Sequence, residues 1–210
     1  MIPEDFDPRR FLISMLALVF CITIHEFAHA FSAVKSGDDT PRLQGRISLN
    51  PLDHLDPMGT IMMIFSSLSG FGIGWGKPVQ INPLNFKHPR WDNLKVSLWG
   101  PMSNILTAAV TGTVFRFWGA SMNSNAFEFV AMLTLISIGL AVFNLLPVAP
   151  LDGSHILSAL LPYELARKYD YFMAHYGLLI FLGLIFLGGG ILSAILGPPS
   201  YLLWHLFTGL

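Results

Sequence analysis

The feature that most constrains this chain is a cluster of ionisable residues inside an apolar run long enough to cross a bilayer. His25-Glu26-Phe27-Ala28-His29 lies within the stretch from Phe11 to about Val34, and about 20 apolar residues in a helix cover a hydrocarbon core of about 30 Å. Ionisable groups at that depth are costly unless they find partners. On a helix, positions i and i+4 share a face about one turn apart, so the two imidazoles can close on one metal ion. The residue after the first histidine then points beside the metal, where a carboxylate can take a proton from water. An HExxH also arises by chance in soluble helices. In a lipid-length helix, the chance reading leaves three polar groups facing hydrocarbon, so the metal reading is the better one.

The rest of the composition agrees with a bilayer as solvent. Of the 210 residues, 53% are hydrophobic and 12% are charged, where soluble domains carry about 25% charged residues. The net charge of −1 gives no basis for nucleic-acid binding. The lone cysteine, Cys21, excludes an internal disulfide and a cysteine-based zinc site, and reads as a packing residue. The start, MIPEDFDPRR, is acidic before its arginine pair and lacks a signal peptide's basic opening. The first span is therefore expected to be retained.

Taken in order, residues 11–34 are the first expected span, with Gly37 as its stop. PRLQGRISLN, 41–50, alternates Leu43, Ile47 and Leu49 with polar residues around Gly45 and predicts a short strand pair. Residues 57–76 carry no charge and five glycines. Their apolar core, 58–71, is short for a span and reads as a short helix or a re-entrant segment. KPVQINPLNFKHPR, 77–90, reads as a strand followed by a loop. Further spans are expected over 94–117, 128–147 and 175–197, the last bent at Gly188-Gly189-Gly190, with 198–210 unplaced. The expected fold is an all-α polytopic membrane protein with about four spanning helices, a short re-entrant segment and small β-strand or hairpin elements. It forms one domain over 1–210, with a core at about 11–165 and further membrane segments over 175–210.

Two histidines leave a catalytic zinc site one protein ligand short, and a fourth position must stay open. Asp152 is the candidate, as the only acidic residue between Glu128 and Glu164. It follows a span broken by Pro147 and Pro150, which unwind the helix end and free the chain to turn a carboxylate inward. The bland alternative makes Asp152 an N-cap for a short helix over 154–161. His155, three residues on, competes as a ligand by helical spacing. His54 reads as a loop hydrogen-bonder, and His88, His175 and His205 lie near span ends without assigned chemistry.

HEFAHA, NPLDHLDPMGT, GWGKPVQINPLNF, GPMSN and NLLPVAPLDG together resemble the site-2 protease family of intramembrane zinc metalloproteases, and more narrowly its small bacterial and archaeal members without a PDZ domain. The resemblance covers roughly residues 20–165. It implies that His25, His29 and Asp152 hold one zinc per chain, that Glu26 is the catalytic base, and that Asn144 helps bind substrate or the oxyanion. The substrate it implies is a transmembrane-helix protein, cut in or near its membrane segment. A helical peptide bond is shielded by its own hydrogen bonds, so the substrate must unwind. An exposed strand edge at Arg46, Ile47, Ser48 and Leu49, or at 78–82, could hold it by β-addition. Asn104 of GPMSN is a further substrate contact or an interhelical hydrogen-bonder. The glycine-rich stretch 70–76 is a candidate gate for water. Alternatives of other classes are a membrane metal-ion transporter, which needs more ligands along a path, and a non-catalytic membrane scaffold, which has no use for Glu26.

The metal also fixes a topology. His25 and His29 lie about 21–27 Å along the first helix at 1.5 Å per residue, and Asp152 lies just past the end of its own. They meet only if those helices run the same way, so residues 58–71 should not cross. Lys35, Arg42, Arg46, Lys77, Lys87, Arg90, Lys95, Arg167 and Lys168 then share the side of the site, and Arg9, Arg10 and Arg116 lie opposite. The positive-inside rule makes the first side cytoplasmic. The expectation is an integral protein of a prokaryotic cytoplasmic membrane, with its site nearer the cytoplasm.

Overall fold

The computed structural model describes residues 6–69 and 74–210. Residues 1–5, in the acidic start, and 70–73, in the expected gate, lie outside the described residues. The described residues form eight α-helices: α1 Pro8–Lys35, α2 Thr40–Leu43, α3 Pro57–Ser69, α4 Pro89–Trp118, α5 Ser124–Asn144, α6 Asp152–Leu160, α7 Tyr163–Phe186 and α8 Gly189–Thr208. Of these, α1, α5, α7 and α8 are long and apolar enough to cross a membrane. The expected all-α polytopic class holds.

Local chemistry sets the limits of the central helices. The Asp7 side chain caps α1 by accepting from the Arg9 and Arg10 N–H groups, and Pro8 occupies a first-turn position where it costs no hydrogen bond. Past Lys35 the chain turns at Gly37, whose φ of 106° suits glycine. Asn123 caps α5 through the Ala126 N–H, and α5 stops three residues before Pro147.

These helices form a three-helix core with defined directions. Arg9 and Arg10 at the start of α1 pair with Glu128 at the start of α5. Midway, Cys21 packs against Leu133 and Ser137. Hence α1 and α5 run parallel. Between them α4 runs antiparallel to both, with Val96 beside His29, Asn104 beside His25, and Thr111 bonded to Thr134.

Two expectations about spans change. The segment 94–117 is helical within α4, but its inward Ser97, Gly100, Ser103 and Asn104 leave it less apolar than the four long helices. The expected bent span over 175–197 is two helices, with the unplaced tail inside α8. The last N–H groups of α7, from Leu187 and Gly188, bond back to Gly183 and Leu184. A Cβ on Gly188 would stand 2.6 Å from the Leu184 carbonyl oxygen, so glycine permits a break here rather than a bend.

The strand expectations are also corrected. Residues 40–43 are helix α2, begun by Pro41 in its first turn, and 44–50 are irregular. Among the described residues the sole β feature is an isolated bridge between Leu55 and Gly76. Segment 77–82 joins no sheet, and carboxylates take two of its backbone donors: Val79 N–H donates to Glu26 and Asn82 N–H to Asp38. The chain enters α3 at Leu55 and returns to the same point. Trp75 packs on Gly59 and Gly74 on Met63, and Lys77 N–H donates to the His54 carbonyl at 2.8 Å.

Asp38 pins these loops to the end of α1. Fully buried, it accepts from Thr40 N–H and Oγ1, Asn82 N–H and Asn85 Nδ2. Burial would raise its pKa, but the surrounding donors outweigh burial and hold it below the usual carboxylate range. Its contribution is thus present above that range and lost as the pH falls through the lowered pKa. Asp38→Ala should cost about 2–3 kcal/mol by leaving buried donors unpaired, read as a lowered thermal midpoint in detergent.

Candidate metal centre

The first helix supplies the histidines on one face. His25 Nε2 and His29 Nε2 lie 3.0 Å apart, and both rings are buried. The third group arrives from α6. After α5 ends, the turn through Pro147 and Pro150 delivers Asp152 as the first residue of α6, whose N-cap Leu151 offers no side-chain bond. The carboxylate points back to α1, with Oδ2 at 3.2 Å from His25 Nε2 and 3.3 Å from His29 Nε2. Among the described residues this is the one group of three or more His, Cys, Asp or Glu whose ligand atoms converge.

The arrangement fits a tetrahedral cation. Ligands held at zinc's usual 2.0–2.1 Å stand about 3.3 Å from one another, close to the separations found. Asp152 Oδ2 is buried without a hydrogen-bond partner, an unmet acceptor that a cation would satisfy. Two nitrogens and one oxygen suit zinc and leave one face of the tetrahedron open.

Groups behind the ring nitrogens decide which nitrogen faces the cluster. His29 Nδ1 lies 2.8 Å from the Val96 carbonyl oxygen. That oxygen can only accept, so Nδ1 carries the proton and Nε2 keeps its lone pair. His25 Nδ1 lies 3.1 Å from Asn104 Nδ2, while Asn104 Oδ1 is buried without a partner. Turning the amide over brings Oδ1 to Nδ1 as an acceptor and leaves His25 Nε2 free for a metal. Gly100 of α4 makes room for both rings: a Cβ there would fall 2.2 Å from His29 Nε2 and 2.8 Å from His25 Cε1.

Glu26 stands beside this cluster, partly exposed. Its Oε2 accepts from Val79 N–H at 3.1 Å and lies 3.8 Å from Arg46 Nη2. Arg46 is buried and also donates to the Lys77 carbonyl. Asn144 sits at the last turn of α5, its Nδ2 donating to Leu140 O. Ile47 and Leu49 are exposed, and the Ser48 carbonyl accepts from His54 Nε2 at 2.7 Å. Asn104 is fully buried behind His25. His155 is exposed on α6 and outside the cluster. Sequence reasoning passed over Gly100, Gly76 and the Val79 N–H. Their roles lie in backbone proximity, which no side-chain pattern signals.

A family model for peptidase family M50 matches residues 110–188, which carry Asn144 and Asp152. YwhC of Bacillus subtilis (strain 168), named as a zinc metalloprotease, is 35% identical over 201 residues, covering 92% of this chain and 85% of that protein. Rip2 of Mycolicibacterium smegmatis, named likewise, is 28% identical over 68% of this chain, which spans 55% of its length. Zinc metalloprotease MJ0392 of Methanocaldococcus jannaschii is 25% identical over 76% of this chain and 36% of its own. No solved structure gives a significant match.

Gly100→Ala should force the two imidazoles apart and strip the metal from purified protein, as His25→Ala or Asp152→Ala should by removing a ligand. Elemental analysis checks all three, and zinc retained at one per chain in each would reject this centre.

Proposed function

The chain belongs to peptidase family M50 and is a zinc metalloprotease, and from that premise we propose that it hydrolyses peptide bonds in or beside the transmembrane segments of membrane-protein substrates. The observation that carries this reading is the convergence of His25 and His29, on a helix apolar enough to cross a bilayer, with Asp152 at the start of α6, next to Glu26. His25 and His29 would hold the zinc through Nε2, and Asp152 would hold it through its carboxylate. When bound, zinc makes water a nucleophile near neutral pH and polarises the scissile carbonyl.

Glu26 takes a proton from the attacking water and passes it to the leaving amine as the C–N bond breaks. Asn144 offers a neutral donor for the developing oxyanion, which is cheaper to desolvate than a cation. Its position supports this. Sixteen residues separate Arg9 from His25 and the same number separates Glu128 from Asn144, about 24 Å on either helix. With Arg9 paired to Glu128, Asn144 ends level with His25. Asn104, sealed behind His25, orients that ring rather than contacting substrate. Exposed Ile47 and Leu49, with Ser48 between them, border the site as the first contacts for an unwound segment. Arg46 is buried within the same loop.

Segment 58–71 does not cross the membrane in this reading, so the site faces the cytoplasmic side of a prokaryotic cytoplasmic membrane. The parallel course of α1 and α5 and the return of the chain from α3 to Leu55 support it. Single cysteines at Asp39 and Leu84, both exposed, in a Cys21→Ser background should react with an impermeant thiol reagent from the same face of sealed vesicles. Reaction from opposite faces would mean that 58–71 spans.

Glu26→Gln keeps the shape of the side chain but cannot accept the proton. It should retain zinc and lose cleavage of a transmembrane peptide substrate by at least a hundredfold. Turnover within a few-fold of wild type would remove Glu26 as the base.

A further inference from the structure

We infer that Arg46 and the Val79 N–H are positioning groups that clamp one oxygen of Glu26, Oε2, and so reserve Oε1 as the atom that takes the proton. The inference rests on the reading of Glu26 as the base. A carboxylate has two equivalent oxygens, and a base that can rotate presents the wrong one, or neither, for part of the time. Here the two differ. Oε2 accepts from Val79 N–H at 3.1 Å and faces Arg46 Nη2 at 3.8 Å.

Both clamping groups are fixed from behind. Arg46 is 3% exposed, and its Nη2 also donates to the Lys77 carbonyl, two residues before Val79. Its Nε has no hydrogen-bond partner, so the guanidinium is not fully satisfied by hydrogen bonds. A buried, under-bonded arginine is expensive unless a nearby anion compensates. Glu26 and Asp53 are the acidic groups whose charge acts on it.

The strap that carries Val79 is seated on α1 as well. A Cβ on Gly76 would lie 2.7 Å from Ile22 Cγ2 and 3.6 Å from Glu26 Cγ, so only glycine lets the backbone approach this closely. Lys77 N–H bonds to the His54 carbonyl at 2.8 Å, and His54 is itself buried and tied to the Ser48 carbonyl. The loop holding Arg46 and the strap holding Val79 thus brace each other over one carboxylate oxygen.

The step is then defined at the atom. As the water oxygen bonds to the scissile carbon, its proton moves to Oε1. The same proton moves from Oε1 to the amine nitrogen as the C–N bond breaks, and the carboxylate is regenerated. Oε2 keeps its two partners throughout, so the clamp has no proton of its own to exchange.

The test uses full-length protein in detergent with a transmembrane peptide substrate, and reads kcat, KM and zinc content separately. Val79→Pro deletes the N–H in a segment that is neither helix nor strand, and it is compared with Val79→Ala, which keeps it. Arg46→Met removes the charge, and Arg46→Lys restores it without the planar fork. We expect kcat for Val79→Pro at least tenfold below Val79→Ala, and a similar fall for Arg46→Met that Arg46→Lys partly recovers. KM should stay within about threefold, with zinc at one per chain. Because both groups act on one oxygen, Val79→Pro combined with Arg46→Met should lose less than the product of the single losses. A rise in KM at constant kcat would make Arg46 a substrate contact, and loss of zinc would make the loop a scaffold; either overturns the proposal. So does kcat within threefold in both single variants. Activity in Glu26→Gln would instead sink the assignment of the base, a separate outcome.

Discussion

The cost of withdrawing a carboxylate from solvent without a partner organises this protein. Asp152 is largely withdrawn from solvent and held against two imidazoles, and this one convergence dictates the course of the chain. It requires α5 to end level with the histidines of α1, and therefore to run parallel to it. A connection between parallel neighbours must cross back, and α4 does so, lying between them. The opposite end is fixed by a second ionic contact, Arg9 and Arg10 on Glu128. Register along α1 and α5 is thus set at both ends by charge, with apolar packing around Ala17, Cys21 and Leu133 between.

α4 meets a different demand. It approaches both imidazoles closely enough that its own residues touch their rings, and this needs small and polar side chains on its inner face. Gly100 yields space, Val96 presents its carbonyl, and Asn104 presents its amide. These substitutions lower the helix's hydropathy, so the helix at the centre of the core is the one that composition separates least well from soluble helices. Burial among neighbours, rather than its own apolarity, makes it tolerable in a membrane.

What could be read from the sequence follows the range of each interaction. HExxH is a local pattern with helical period, and the proline-broken approach to Asp152 carries its own backbone logic, so the three side chains that converge in the structure were visible. The loops were not. The alternation at 43–49 and 79–81 is the pattern of strands, but a strand exists only with a partner. Here the donors of the second segment go to Glu26 and Asp38, carboxylates more than forty residues away in the chain. Nothing near Val79 records that its N–H will meet a side chain of α1. The glycines at 188–190 posed a related problem, because a glycine run is compatible with a bend or a break, and only contact with Leu184 decides between them.

The two glycines that press on α1 reveal how the face carrying His25, Glu26 and His29 is enclosed. Gly100 on α4 meets the histidines from one side, and Gly76 on the strap meets Ile22 and Glu26 from the other. Both admit main chain where a side chain would otherwise stand. The nearest fixed polar partners are in large part main-chain groups: the Val96 carbonyl on His29 and the Val79 N–H on Glu26. Main-chain groups carry no net charge to desolvate and cost little extra ordering once the helix and strap are packed. In a bilayer this is a cheap way to orient ionisable side chains, since each added polar side chain would need a partner of its own. Arg46 is the exception: a full charge buried within reach of Glu26, whose retention is best explained by the carboxylate it faces.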